Sequence, residues 1–297
     1  MKPHATPFLG PPSEFCEFNR AKAVVLPFGY EGGVSYGRGT AQAPQAVLEA
    51  SQQVEFYDED RKSEIFRIGI ATIAEPEIPE DPKQMVAQLA RLTDDLLKAQ
   101  KFAVVVGGDH SITSGYIQTI AKYYPKFGVI QLDAHADLRP SYQDDLLSHA
   151  SVMARIREIT PHTLQIGIRS MDITEAECVQ KENLCLCTMR QWRRGRFDLK
   201  AALSTLPEKV FITLDVDVFD WSVIASTGTP EPGGLGWYEA LDLLETIFTT
   251  KEVVGCDVVE LSYQPHDPNS PFAVAKLIYK MIGMKFAKIL EPTPTKK

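Results

Sequence analysis

Short apolar runs recur along the chain at residues 23–28, 102–106, 128–132, 163–168, 210–214 and 253–259. They are rich in β-branched residues and apolar on both faces, the pattern of buried parallel strands rather than of half-exposed antiparallel ones. Between them the apolar spacing changes to three and four. Asp81-Pro82 offers an N-cap followed by a first-turn proline, after which Met85, Val86, Leu89, Leu92, Leu96 and Leu97 mark one helical face. Residues 237–248 and 273–290 carry similar stripes. Strands alternating with helices predict a mainly parallel central sheet covered on both sides, a single α/β domain of three-layer α/β/α form. The start, 1–20, and the tail, 292–297, read as loosely held ends, which leaves 21–291 as the folded unit.

Composition agrees. In 297 residues, 44% are hydrophobic, which supports a large core and excludes a disordered chain. Nineteen glycines and twenty prolines without a period exclude a collagen-like one. With 31 basic against 39 acidic residues the net charge is −8, which argues against a nucleic-acid or anionic-membrane surface. No apolar run approaches the ~20 residues of a membrane span, and the first residues carry no apolar signal-peptide core. A cytoplasmic protein is expected. Five scattered cysteines, Cys16, Cys178, Cys185, Cys187 and Cys256, form no Cys-x-x-Cys unit, so neither a zinc ribbon nor a disulfide framework is expected.

The chemistry lies just beyond the apolar runs. Val104–Val106 leads into Gly107-Gly108-Asp109-His110-Ser111, and the run at 128–132 into Asp133-Ala134-His135-Ala136-Asp137. The run at 210–214 leads into Asp215-Val216-Asp217, and Val258-Val259 into Glu260. Ligands of open parallel sheets bind beyond the carboxyl ends of the strands. In extended chain, residues i, i+2 and i+4 point the same way, so Asp133, His135 and Asp137 can converge, as can Asp215 and Asp217. With His110 this makes four aspartates and two histidines. Packed together without a cation they would repel, at several kcal/mol per buried charge. Six such donors suit two divalent ions, and an oxygen-rich set favours manganese or a neighbour over a thiolate-bound zinc. A lone Asp-x-Asp or Gly-Gly-Asp-His is usually only a turn or a cap. The coincidence of three segments at strand ends is what points to metal.

These segments, with Ser148-His149 and the stretch from Thr227 to Leu235 that includes Pro230-Glu231-Pro232-Gly233-Gly234, resemble the ureohydrolase (arginase/agmatinase) family over nearly the whole chain, the agmatinase branch in particular. The resemblance implies that one Mn2+ takes His110, Asp133, Asp137 and Asp215, and the other Asp133, His135, Asp215 and Asp217, with Asp133 and Asp215 bridging. It implies that Glu260 grips a substrate guanidinium, that His149 relays protons and helps bind substrate, and that Asp137 passes a proton to the leaving amine. Departures at Ala150, Trp221, Ala225 and Ser226 lie on loops that would border the cleft, so they bear on which substrate is taken.

The implied reaction is metal-dependent hydrolysis of a small cationic guanidino compound to urea and an amine, agmatine to putrescine, in polyamine biosynthesis. Two cations sharing a water bring its pKa near neutrality. Guanidinobutyrate and arginine are alternative substrates. A non-catalytic metal-binding relative would be expected to lack a ligand, and all six are present. A single-zinc deacetylase of related architecture would leave Asp215, Asp217 and Glu260 without a task. The resemblance also implies a homo-oligomer, a trimer or hexamer.

Overall fold

The computed structural model describes residues 1–290 of the chain; the tail expected at 292–297 lies outside them. The strands are β1 (Ala23–Phe28), β2 (Tyr57–Asp58), β3 (Ser63–Glu64), β4 (Ile70–Thr72), β5 (Phe102–Gly107), β6 (Gly128–Leu132), β7 (Thr163–Ile168), β8 (Cys185–Thr188), β9 (Lys209–Asp215) and β10 (Glu252–Val259). The helices are α1 (Ala43–Ser51), α2 (Pro82–Lys98), α3 (Thr113–Tyr123), α4 (Val152–Ile159), α5 (Ile173–Glu182), α6 (Met189–Arg193), α7 (Leu199–Thr205), α8 (Trp237–Thr250) and α9 (Asn269–Lys285).

Eight strands form one sheet in the order β4-β1-β5-β10-β9-β6-β7-β8, with every neighbouring pair parallel. β2 and β3 make a separate antiparallel hairpin. Side chains alternate across the sheet as the pleat requires. Ala23 and Val25 join a core with α1, α7, α8 and α9, whereas Val24, Leu26 and Phe28 join a second core with α2, α3 and α4. The sheet is thus the middle of three layers. Each fully buried large side chain, such as Leu89 below α2 or Ile282 below α9, contributes roughly 1.5–3 kcal/mol of burial.

All six expected strands are present. Of the four strands that the apolar pattern did not single out, β2 and β3 form the separate hairpin, and β4 and β8 are the edges of the main sheet, three and four residues long. α2 starts as its sequence dictates: the Asp81 side chain accepts from the Gln84 amide at 2.9 Å, and Pro82 fills the first turn. The last helix is offset from the expected 273–290. It begins at Asn269, because Pro271 sits in the first turn, where its missing N–H costs nothing, and it ends at Lys285.

The expectation of a loosely held start does not match the structure. Phe8 is fully buried and Leu9 nearly so. The Phe8 amide donates to Thr72 Oγ1 at 2.8 Å, Leu9 N to Ser51 Oγ at 2.9 Å, and His4 N to the Thr72 carbonyl at 2.9 Å. Two apolar residues are enough to pin this segment because the edge strand β4 leaves backbone and hydroxyl groups free to receive it. The five cysteines are free thiols, Cys187 and Cys256 buried and the others half-buried.

The central strands β5, β10, β9 and β6 are consecutive in the sheet. Their carboxyl ends therefore open onto one place.

Candidate metal centre

Glycine shapes the turn after β5. A Cβ on Gly108 would lie 1.8 Å from the Tyr30 carbonyl oxygen, so only glycine lets this turn press against the end of β1. There Gly108 N donates to Phe28 O at 3.0 Å and Asp109 N to Tyr30 O at 2.8 Å. The Asp109 carboxylate then caps the following turn, accepting from the Ser111 amide at 3.0 Å, which fixes His110 beneath the cleft. Across the sheet Gly167, at φ +105°, brings β7 close under Asp133, whose carbonyl oxygen would lie 2.6 Å from a Cβ there.

Backbone amides aim the carboxylates. His135 N donates to Asp133 Oδ1 at 2.6 Å, Ala134 N to Asp217 Oδ1 at 2.9 Å, and Asp217 N to Asp215 Oδ1 at 2.9 Å. Gln131, inside β6, adds a bond from Nε2 to Asp133 Oδ2 at 2.7 Å. Two acidic residues of the cluster and cleft sit in the left-handed backbone region, Asp137 at φ 52° and Glu260 at φ 65°. Such conformations cost on the order of 1–3 kcal/mol and persist where surroundings enforce them. Here Met153 N and Ala154 N donate to the Asp137 carbonyl at 3.0 and 3.2 Å, and Glu260 N donates to Gly108 O at 2.8 Å.

The result is a compact donor cluster. His110 Nδ1 stands 3.1 Å from Asp133 Oδ2, 3.2 Å from Asp137 Oδ2 and 3.4 Å from Asp215 Oδ2. His135 Nδ1 stands 2.8 Å from Asp217 Oδ2 and 3.7 Å from Asp133 Oδ1. Ligand atoms of His110, Asp133 and Asp137 lie within 4.8 Å of one another, as do those of Asp133, His135 and Asp217. Asp133 belongs to both groups. Asp215 stands outside both by that measure and reaches the first through His110.

Charge is heavily strained in this cluster. Burial raises the Asp137 pKa, helped by Asp133, to about 7. Burial likewise pushes Asp215 well up, with the Asp217 and Asp133 charges adding, and raises Asp217 beside Asp133. For the imidazoles burial works downward, yet the facing carboxylates win. His110 lies well above its ordinary range through Asp133, Asp137 and Asp215, and His135 is pushed up to about 12 by Asp133 and Asp217. Burial works to raise the Asp133 pKa, but the imidazoles of His110 and His135 facing it win, and it falls below the usual carboxylate range.

Two buried ligand atoms in this cluster, His110 Nδ1 and Asp217 Oδ2, complete no hydrogen bond among the described residues. Orphaned lone-pair atoms converging with carboxylates are what a cation site requires and what a hydrogen-bonded polar core avoids. The residues therefore fit divalent metal, and a shared carboxylate fits a pair of ions.

His149 and Glu260 face the same cleft, of about 260 Å3, together with His110, His135, Asp137 and Asp215. The His149 ring lies between Ser35 Oγ, 3.5 Å from Nε2, and Ser148 Oγ, 3.5 Å from Nδ1, with Tyr142 edge-on at 5.9 Å. Burial lowers its pKa. Glu260 Oε1 accepts from the His110 amide at 2.7 Å, and its pKa is pushed well up by burial and by Asp109. All eight residues expected from the sequence thus cluster beyond the carboxyl ends of the central strands.

Several residues of the site escaped the sequence reading. Ser35 lines the cleft from a loop with no local signal, and Thr229 joins it from the 227–235 stretch that carried the resemblance, though no role was assigned to it there. Arg139, two residues past Asp137, stands 3.8 Å from Glu175 and 3.9 Å from Asp172, its guanidinium over the Tyr142 ring at 5.2 Å. Arg169, the first residue after β7, ties the backbone of Asp217 to the 231–232 loop: its guanidinium donates to the carbonyls of Asp217, Glu231 (2.9 Å) and Pro232 (3.0 Å). Its position directly after a strand was a usable signal.

Known proteins give the same picture. The sequence profile of the arginase family matches residues 21–283. The N(1)-aminopropylagmatine ureohydrolase of Synechocystis sp. is 36% identical over 93% of this chain and 95% of its own length. The agmatinase of Pyrococcus horikoshii is 31% identical over 89% of this chain and 92% of its own. Among solved structures, the agmatine ureohydrolase of Thermoplasma volcanium superposes with a TM-score of 0.83 at 25% identity, covering 91% of this chain and 92% of that one. Proclavaminate amidino hydrolase from Streptomyces clavuligerus gives 0.80 at 26% identity, covering 90% and 93%. Matched in sequence along almost its whole length and in fold to solved relatives, the chain belongs to the arginase family of ureohydrolases.

Proposed function

We propose that the chain hydrolyses a guanidino-alkylamine to urea and an amine, with agmatine giving putrescine as the parent case. The observation that carries this is the pair of donor groups sharing Asp133, with His110 Nδ1 and Asp217 Oδ2 orphaned, in the same cleft as Glu260. His110, Asp133, Asp137 and Asp215 would hold one divalent cation and Asp133, His135, Asp215 and Asp217 the other, manganese first among the candidates. Such a pair supplies Lewis acidity that brings the pKa of a water into the neutral range.

The protein's own groups do the rest. Glu260 orients the guanidinium through charge-assisted hydrogen bonds and presents its carbon to the donor cluster. Water oxygen adds to that carbon with loss of its protons, the bond between that carbon and the alkyl-bearing nitrogen breaks, and the departing nitrogen takes a proton and leaves as the amine. Asp137, which lines the cleft, would deliver that proton, and His149, between Ser35 and Ser148, would exchange protons with solvent.

The outer wall favours an amine over an acid at the substrate's far end. Two carboxylates, Asp172 and Glu175, face one guanidinium, Arg139, which leaves 1 − 2 = −1 at that wall. The relatives named N(1)-aminopropylagmatine ureohydrolase, at 32–36% identity, support a longer polycation as a second substrate. Among the described residues no helix is long and apolar enough to cross a membrane. A cytoplasmic homo-oligomer, trimeric or hexameric, accompanies this proposal as the family resemblance implies.

Urea release by the Mn2+-loaded protein from agmatine, N(1)-aminopropylagmatine, guanidinobutyrate and arginine tests it. Release from one or both of the guanidino-amines in preference to the acids is expected. Activity on guanidinobutyrate or arginine alone would overturn the substrate class, and no urea from any would overturn the reaction.

A further inference from the structure

Asp257 is a fully buried carboxylate in the middle of β10 that the proposed reaction does not use. Neither of its oxygens completes a hydrogen bond of normal geometry. A bare acid between apolar neighbours costs several kcal/mol, so its surroundings ought to explain it. Its neighbour in the sheet register is Thr213 of β9. Thr213 Oγ1 lies 2.8 Å from His110 Nε2 and 3.3 Å from Thr113 Oγ1. Burial pushes the Asp257 pKa up to about 6, against the His110 charge and the nearby hydroxyls of Thr213 and Thr113, which pull it down.

The direction of these contacts is informative. His110 Nδ1 faces the donor cluster, where a cation needs its lone pair. Its ring proton must then sit on Nε2 and be donated to Thr213 Oγ1. That hydroxyl, having accepted, still has its own proton to give, and the buried acceptor beside it is Asp257. Metal-ligating histidines commonly hand their second N–H to a carboxylate, which fixes the tautomer and raises ligand basicity. Here the link runs through one hydroxyl.

We propose that Asp257, acting through Thr213, is a positioning residue that holds the His110 imidazole in its metal-binding tautomer and orientation. The inference rests on His110 being a ligand of the centre. It assigns to Asp257 no contact with substrate. A negative charge placed behind Nε2 strengthens Nδ1 as a donor and returns part of the desolvation cost once a cation is bound.

The test is Mn2+ binding to the full chain by equilibrium dialysis, together with thermal unfolding of the cation-free protein, for Asp257→Asn, Thr213→Val, the double variant and His110→Ala. In each single variant one of the two ions is expected to bind about 10- to 100-fold more weakly, the usual cost of losing such a partner, while the other is retained. The double variant should be no worse than the weaker single, because both break one chain of contacts. Cation-free Asp257→Asn should unfold no earlier than the unaltered protein, since the desolvation cost of the buried charge goes with it; a residue kept only for folding would show a lower midpoint. If His110→Ala weakens one ion but Asp257→Asn and Thr213→Val do not, the relay is wrong and the metal centre stands. If His110→Ala binds both ions normally, His110 is not a ligand and the inference falls with that assignment.

Discussion

His135 Nδ1 and Asp217 Oδ2 face each other at 2.8 Å from the ends of neighbouring strands, β6 and β9. Two lone pairs cannot rest at that separation. Either a proton or a cation must lie between them, which makes the site a point of competition between the two.

That competition has a measurable sign. With His135 pushed up to about 12, His110 above its ordinary range and Asp137 raised to about 7, the cation-free cluster holds protons at neutral pH. Cations must displace them, so Mn2+ affinity should rise with pH. Calorimetric titration in buffers of different ionisation enthalpy should report at least about one proton released per chain. Proton-neutral binding would contradict the charge state described above.

Asp133 and Asp215 are the proposed bridges. Asp133→Asn and Asp215→Asn are each expected to reduce bound Mn2+ from two ions toward one or none. Urea release should fall by at least ~100-fold, on the scale of losing one preorganised charge-stabilising group. Elemental analysis alongside the urea assay checks both, and unaltered stoichiometry in either variant would remove it as a bridge.

Glu260→Gln keeps an oxygen to accept from the His110 amide but loses the charge that meets the guanidinium. Both ions should remain, with kcat/KM about 10- to 100-fold lower, the value of one hydrogen bond to a charged group. Steady-state kinetics on the metal-replete variant decide it, with unchanged kcat/KM counting against the assignment.

His149→Asn should leave metal content intact and lower kcat by roughly 100-fold, the low end for a proton-transfer group. Small external imidazoles should restore part of the rate. A variant with full kcat would show that protons leave the site by another path.

Far from the cleft, Lys280 of α9 is buried and holds Asp58 at 3.0 Å and Asp60 at 2.6 Å. Lys280→Met would strand the buried Asp58 and should cost about 3–5 kcal/mol in denaturant unfolding. Burial works to lower the Lys280 pKa, but hydrogen bonds to Asp60, Glu59 and Asp58 raise it above its ordinary value. Its stabilisation is therefore complete below the unfolded value of about 10.4 and declines as pH climbs through the folded one. Unfolding midpoints of the unaltered protein and of Lys280→Met should differ by a constant amount at neutral pH and converge only in strong alkali. A gap that closes near neutrality would exclude the clamp.

The central strands were legible because they are buried on both faces, so Val104–Val106 and its counterparts stand out as unbroken apolar runs. The donor cluster was legible for a related reason: ionisable residues placed directly after such runs have no structural excuse. Other features left weaker traces. β4 and β8 are short edge strands with only one neighbour each, and Phe8 and Leu9 are two apolar residues among prolines and glycine. Gln131, Thr213 and Asp257 lie inside strands, where a polar residue looks like an interruption until the neighbouring strand shows what it faces. Ser35 acts across the fold on a partner distant in sequence, and no local pattern encodes that contact.

The most direct measurement is anomalous diffraction at the manganese edge from crystals of active, Mn2+-loaded protein. Two peaks are expected, one against His110, Asp133 and Asp137 and the other against Asp133, His135 and Asp217, with an Asp133 oxygen within coordination distance of both. A single peak, or density for metal anywhere other than the carboxyl ends of β5, β9 and β6, would contradict a binuclear centre.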